Sequence, residues 1–563
     1  MIFTPLNPIA MKKNVVLIFL LLAMVAQLSA QSTFPKAWES KFDNDADYMK
    51  YTTLNGEFVI GTTKENVCVL DGKTGTQLWS KSFMELTGVN KAGTQQVLED
   101  AGMLMFISSQ NKKDQLFCVD LKTGTKLWNN ANYNDIDLNN VIFLPQVNSF
   151  MVVLKKGLVL IDAKTGVEKG AIDGITGVPG RWVFLPEKKQ LIVLCYEVNS
   201  LKAIRSGLQN HILCIDLEKV STVWKTTFKG VVEIKRYASR TFTGFDWVLA
   251  GVEKGIGSSN VLVDVYTYNN KLVVVYNGLK VFDLGSGNKV WEVEYDVSLS
   301  RGLAGSAQMY GAVADPFFTE KHVYVASFEA GRDKSIKKYD METGKLIWET
   351  PVAGRKVIIP SLALVNNVLV AQIGGYVNLQ GEANGAVFSK WEWEGPFGLK
   401  GFDGETGKLL WETEKFDDRI TNVLPVDNAL YVADASNLYS VDVKTGSNNF
   451  SSPMKGSKTG KPLYLFAWDK KPFVFAEGGL ASFTSSGSLA FAYKSKDPYI
   501  NDSEQYGSTY FMANDDGLYT IDLKDGTEQG KYEYMKGVRY GIKQDGKSLF
   551  LLGEKKVTKH TIQ

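Results

Sequence analysis

Cysteine and histidine are both scarce in this chain: its 563 residues include four of the first and three of the second. His211, His322 and His560 are too scattered to read as a zinc set or a proton relay, so each reads as a strand or surface residue. None of Cys68, Cys118, Cys195 and Cys214 adjoins another, and no C-x-x-C-H haem motif is present. Neither charge sign dominates, with 63 Lys and Arg against 61 Asp and Glu. That balance argues against nucleic acid as a partner. The densest basic stretch, Lys229 to Arg240, also holds Glu233 and reads as a solvated strand face. Long apolar runs and helical periodicity are missing outside the N-terminus, and there is no phosphate-binding G-x-x-x-x-G-K-[ST] loop or G-x-S-x-G nucleophile elbow.

The one apolar run has a specific form. Met11-Lys12-Lys13-Asn14 precedes VVLIFLLLAMVAQLSA, a charged segment followed by a short apolar core and a small-residue cleavage site after Ala30. This reads as a secretory signal over residues 1–30, with Met11 as the expected start, rather than a spanning helix. Residue 31 is Gln, so no lipid-accepting cysteine stands at the cleavage point. The expectation is an exported, soluble protein, periplasmic or extracellular, without a lipid anchor or membrane span. Removing the two signal lysines leaves basic and acidic side chains equal at 61 each.

What is abundant is repetition. One phrase, apolar-x-D-x-x-T-G-x-x-x-W, recurs along the chain, and six of the twelve tryptophans stand eight residues after its aspartate. The clearest copies run Asp71-Gly75-Trp79, Asp120-Gly124-Trp128, Asp283-Gly287-Trp291, Asp340-Gly344-Trp348 and Asp403-Gly407-Trp411. Weaker copies start at Asp162, Asp216, Asp442 and Asp522, where Gly170, Trp224, Phe450 and Gly530 occupy the last position. A tenth, around Thr484, lacks both the aspartate and the tryptophan. Successive starts lie 38 to 67 residues apart, and the shortest unit suits four short strands. Within the phrase, the aspartate accepts hydrogen bonds from turn N–H groups, the glycine supplies a positive φ, and the tryptophan opens the next strand, filling the wedge between adjacent sheets. Lys-Thr-Gly, which recurs at these turns as at Lys73 to Gly75 and Lys444 to Gly446, is therefore structural and not a penicillin-binding triad. Cys68, Cys118 and Cys214 just precede repeat aspartates and read as small buried apolar residues, while a disulfide between Cys195 and Cys214 stays open.

The phrase resembles the tryptophan-docking repeat of the quinoprotein family of β-propellers, which includes PQQ-dependent alcohol dehydrogenases and the propeller lipoprotein of the outer-membrane β-barrel assembly machinery. The resemblance covers residues 31–563 and implies an all-β fold, a single large propeller of four-stranded antiparallel blades, eight to eleven in number. The chain around Trp38 resembles a strand that follows a docking turn, yet no turn precedes it, and the C-terminal segment supplies strands that none follows. The two ends are thus expected to share a blade and hide two sheet edges. For activity, the dehydrogenases of the family carry a disulfide between adjacent cysteines over PQQ, with calcium-binding carboxylates beneath it. This chain has no such pair, so the expectation is a non-enzymatic member with no cofactor and no metal. A PQQ- and calcium-dependent oxidoreductase is the alternative. Asp43, Asp45 and Asp47 are spaced like the start of a calcium loop, but Tyr48 and Leu54 stand where that loop needs glycine and glutamate, and a polar linker is the better reading.

Function is expected in the insertions, because loops on a rigid ring are free to vary. Trp391, Trp393 and Phe397 lie among glycines between Asp403 and the preceding repeat, outside the docking position. They are candidate partner-binding residues: a hot spot for a protein, or a stacking platform for a glycan. Packing of these aromatics on their own blade is the competing reading. Residues 301–318 and 242–260 are two further insertions of the same kind.

Overall fold

The computed structural model describes residues 34–562 apart from internal segments, the longest of which are 42–49, 197–208, 230–263 and 295–313, and gives residues 376–383 and 386–394 as backbone only. The signal segment, the acidic run at Asp43 to Asp47, residues 242–260 and most of 301–318 therefore lie outside the described residues. The described chain forms eleven four-stranded antiparallel sheets, arranged as the blades of a propeller. Blades 1 to 10 are consecutive in sequence, at residues 50–82, 94–130, 141–173, 178–229, 264–294, 317–353, 361–412, 424–453, 462–494 and 502–533. Blade 11 takes three strands from the C-terminus, Arg539–Ile542, Ser548–Leu552 and Lys556–Thr561, and its fourth, Lys36–Lys41, from the N-terminus. Each weak repeat, including the one at Thr484, belongs to a complete blade and not to an inserted hairpin.

Strand position within a blade explains the residue patterns. Third strands such as Gly157–Asp162 are covered on both faces by neighbouring blades, and Leu158 to Ile161 are all buried. Such strands read as continuous apolar runs. Fourth strands run along the rim, where in Leu409–Glu412 only Trp411 is buried. Eleven apolar clusters hold the ring, one across each seam between neighbouring blades. Two involve the closing blade: Trp38 and Phe550 meet Val59 and Leu70 of blade 1, while Phe34, Leu549 and Ile562 meet Phe511 and Leu518 of blade 10. Each Leu, Val or Phe fully buried this way contributes about 1.5 to 3 kcal/mol. A net hydrogen bond contributes about 1 kcal/mol, so the seams are held chiefly by apolar burial and oriented by polar contacts.

None of the four cysteines is in a disulfide. A disulfide between Cys195 and Cys214 is not formed: Cys195 stands opposite His211 and Cys214 opposite Ile192, so the two sit three rungs apart on adjacent strands. Burial pushes Cys68 and Cys195 up to about 12, which makes them inert apolar packing groups.

Candidate functional site

Two features were singled out by sequence, the docking turns and the aromatic insertion, and the fold places them differently. At each turn the aspartate organises its own loop. Asp71 Oδ1 accepts from the N–H groups of Lys73 and Thr74 at 2.9 and 2.7 Å and from the Thr74 hydroxyl at 2.9 Å. The Gly75 N–H donates back to the Asp71 carbonyl at 2.8 Å, with Gly75 at φ 74°. The same bonds recur around Asp340 and Asp403.

The turn receives a ring from the preceding blade. A Cβ on Gly124 would lie 2.6 Å from the Trp79 indole, and Gly344 and Gly446 stand equally close to Trp291 and Trp411. Glycine is thus required for two independent reasons, left-handed backbone and ring contact. The indole N–H then donates to a carbonyl beside the turn: Trp79 to Leu121 at 2.7 Å, Trp128 to Ala163 at 2.8 Å, Trp291 to Met341 at 2.9 Å and Trp411 to Val443 at 2.8 Å. Every docking contact therefore links one blade to the next.

Five seams depart from this scheme: between blades 8 and 9 and blades 9 and 10 a phenylalanine, Phe450 or Phe491, replaces the tryptophan on the turn glycine, and three others change further. Between blades 6 and 7, Lys338 is fully buried and takes the equivalent carbonyl, Gly404 O, at 2.8 Å, while also pairing with Glu405 at 3.0 Å. The Tyr324 hydroxyl donates to the same carbonyl at 3.2 Å, and the Trp348 indole N–H has no hydrogen-bond partner among the described residues. Between blades 3 and 4 both halves of the contact change together. Gly170 replaces the ring, and Val220, at φ 48°, stands at the turn, where a Cβ on Gly170 would lie only 3.0 Å from the Val220 Cβ. Between blades 10 and 11 there is no receiving turn, because the chain ends fall there. Instead the Tyr532 hydroxyl accepts from the Phe34 N–H at 2.7 Å, and His560 Nδ1 lies 3.0 Å from the Phe34 carbonyl. The docking residues thus join each blade to the next.

The turns also predict acid sensitivity. The Thr343 hydroxyl and N–H hold Asp340 below its ordinary carboxylate range, and the Ser286 hydroxyl and N–H do the same for Asp283. A carboxylate depressed in the folded state adds stability that is complete above its unfolded value and lost as pH falls through its folded value. Melting temperature is expected to fall progressively from about pH 5 downwards, and Asp340→Asn should flatten that limb. Calorimetric melts of both proteins across the acid range check this, and superimposable limbs would remove the turns as its cause.

The aromatic insertion forms a long hairpin in blade 7, Val368–Ala383 with Ala386–Asp403. Its first six rungs, Val368 to Ile373, lie within the blade; after a register shift nine more, Gly375 to Ala383, continue past it. Nine residues of strand reach about 30 Å. The root of this ribbon is clamped. Gln372 is buried and donates to Gly374 O at 2.9 Å and to Thr421 O, in the connection to blade 8, at 3.1 Å. Trp391 stands opposite Asn378 and Trp393 opposite Tyr376, so both tryptophans occupy one face of the ribbon. Phe397 lies elsewhere: it is half-buried, packs on the cluster between blades 7 and 8, and bridges to Phe416. The structure therefore groups Trp391 with Trp393 and separates Phe397 from them. Strand register alone sets Tyr376 opposite Trp393, which no local sequence signal reveals.

The family profile described as outer membrane protein assembly factor BamB matches residues 36–226 and 277–532. The chain belongs to the BamB family. Among solved structures it is similar to BamB from Moraxella catarrhalis, at 12% identity and TM-score 0.26, over 81% of this chain and 98% of that one. It is also similar to a eukaryotic initiation factor, at 11% identity and TM-score 0.34, over 73% of this chain and 89% of that one. A third likeness is to the computationally designed Ika8 protein, at 13% identity and TM-score 0.25, over 53% of this chain and 95% of that one. No curated protein matches. In this BamB-family chain the cysteine component of the dehydrogenases' quinone site does not fit, since the four thiols lie inside blade strands and none adjoins another. No described helix is long and apolar enough to cross a membrane.

Proposed function

We propose that this chain is an exported, non-enzymatic propeller scaffold that binds a protein partner during outer-membrane assembly, and that its blade 7 ribbon presents Trp391 and Trp393 to that partner. The family match supports the assembly role. The observation that carries the site is the clamped ribbon, nine rungs beyond its blade, with both tryptophans on one face. Tryptophan is among the strongest interface anchors, because a large ring with few rotatable bonds loses little conformational entropy on binding. Phe397, packed at the root, supports the ribbon from the blade.

The test is a pull-down from envelope extract with the mature protein and with a Trp391→Ala/Trp393→Ala variant. The expected result is a captured protein that the variant retains at least tenfold less well, with an unchanged melting temperature. Equal capture by both would remove the ribbon face as the site. Calorimetry with PQQ and calcium tests the oxidoreductase reading, and saturable heat there would replace the scaffold reading. A glycan array distinguishes a sugar ligand from a protein one.

A further inference from the structure

The ribbon has a second property, separate from its aromatic face. Within the blade, the hairpin is flanked on one side by Ser361–Val365, whose pairing stops at Gln372, and on the other by Leu409–Glu412, whose pairing reaches only to Lys400. Past the bridge at Phe397, no described residue pairs with the outer edge of either ribbon strand. Each edge thus offers a row of backbone donors and acceptors. A long unpaired edge is a template for another strand, and proteins normally blunt or cover it.

The outer edge of residues 386–394, AVFSKWEWE, complements itself. Antiparallel pairing of two copies about a two-fold axis normal to the sheet keeps each residue on the same face as its partner. Three centres lie within the charged segment. An axis through Lys390 opposes two lysines, and one through Glu392 opposes two glutamates; each is unfavourable. An axis through Trp391 opposes Lys390 to Glu392 twice and Trp391 to itself, with no like pair. Inside a single ribbon, Lys390 stands opposite Leu379 and Glu392 opposite Val377, so neither has an opposite charge directly across it. The arrangement that satisfies both charges across the strand is the intermolecular one.

We infer that two copies of this chain associate edge to edge through residues 386–394, antiparallel about Trp391, forming a four-stranded sheet between two propellers. Such a dimer sets the Trp391 and Trp393 of both copies on one continuous face. It stands independently of the assembly reading, since that face is present in a monomer as well.

Sedimentation velocity of the mature full chain tests it. The wild type is expected to reach twice the monomer mass in the micromolar range. Lys390→Glu and Glu392→Lys each set like charges opposite one another at two rungs and should weaken association about tenfold. The double variant Lys390→Glu/Glu392→Lys restores both pairs and should restore the dimer. Glu382→Lys, on the other strand of the ribbon and opposite Val387, should leave it intact. All four should melt with the wild type, because their partners inside one ribbon are uncharged. A wild type that stays monomeric, single variants that associate normally, or a double variant that fails to recover would each overturn the dimer.

Discussion

Removing residues 34–41 is expected to lower the melting temperature more than any single substitution in a blade. Those eight residues carry the fourth strand of blade 11, and with it both of that blade's seams. Trp38 packs edge-on to Phe550 at 5.9 Å between ring centres and donates its indole N–H to Gly72 O of blade 1 at 3.1 Å. Phe34 fills the opposite seam beside Tyr532 and His560. Loss of either ring alone costs about 3 to 5 kcal/mol. Deletion removes both and exposes the edge of Lys556–Thr561 as well as the face of blade 1. Around Glu39, Lys36 and Lys556 lie at 2.9 and 3.1 Å and hold the carboxylate down at about 2. Those ions are partly exposed and contribute little beside the rings. Calorimetry of the truncated chain decides the matter, and a melting temperature within a degree or two of the full chain would show that the ring does not depend on this strand.

Trp411→Ala is expected to destabilise the protein by about 3 to 5 kcal/mol, and Trp348→Ala by less. Both rings are buried on a turn glycine of the next blade, so both lose the same packing. They differ in their polar contact. Removing Trp411 leaves Val443 O without its indole donor, whereas Gly404 O beside Trp348 keeps Lys338 and Tyr324. Truncating Trp348 also deletes an indole N–H that is buried without a partner, and an unsatisfied buried donor costs about 1 to 3 kcal/mol. Denaturant titrations of the two variants should therefore differ by about 1 kcal/mol or more in midpoint stability. Equal losses would mean that the carbonyl contacts contribute nothing to the seams.

The docking turn was readable from sequence almost atom by atom, because its bonds are local. Asp71 reaches only to Lys73 and Thr74, and the need for Gly75 follows from its own φ. The weak copies were harder to read, because a seam can be filled in more than one way. Phe450 and Phe491 take the tryptophan's place against Gly487 and Gly526. Gly170 with Val220 exchanges a large ring and a bare turn for a bare strand and a larger turn residue, so the contact persists without the motif. Trp391, Trp393 and Phe397 were grouped by nearness in sequence, and the register shift between Ile373 and Gly375 separates them. A shift of this kind depends on the partner strand and leaves no mark in either strand alone.

By itself the sequence determined the all-β repeat, the chemistry of the turn and the family, since each rests on residues within about ten positions of one another. Tertiary structure alone decided that there are eleven blades, that each ring docks on the blade that follows it, and that the aromatic insertion stands out from blade 7 as a paired ribbon. Those properties rest on distant contacts: Trp79 meets Leu121 across 42 residues, and Phe34 meets Tyr532 across 498. A repeat specifies how one blade meets the next, but the number that closes the ring is set by the angle accumulated over every seam, which no single repeat encodes.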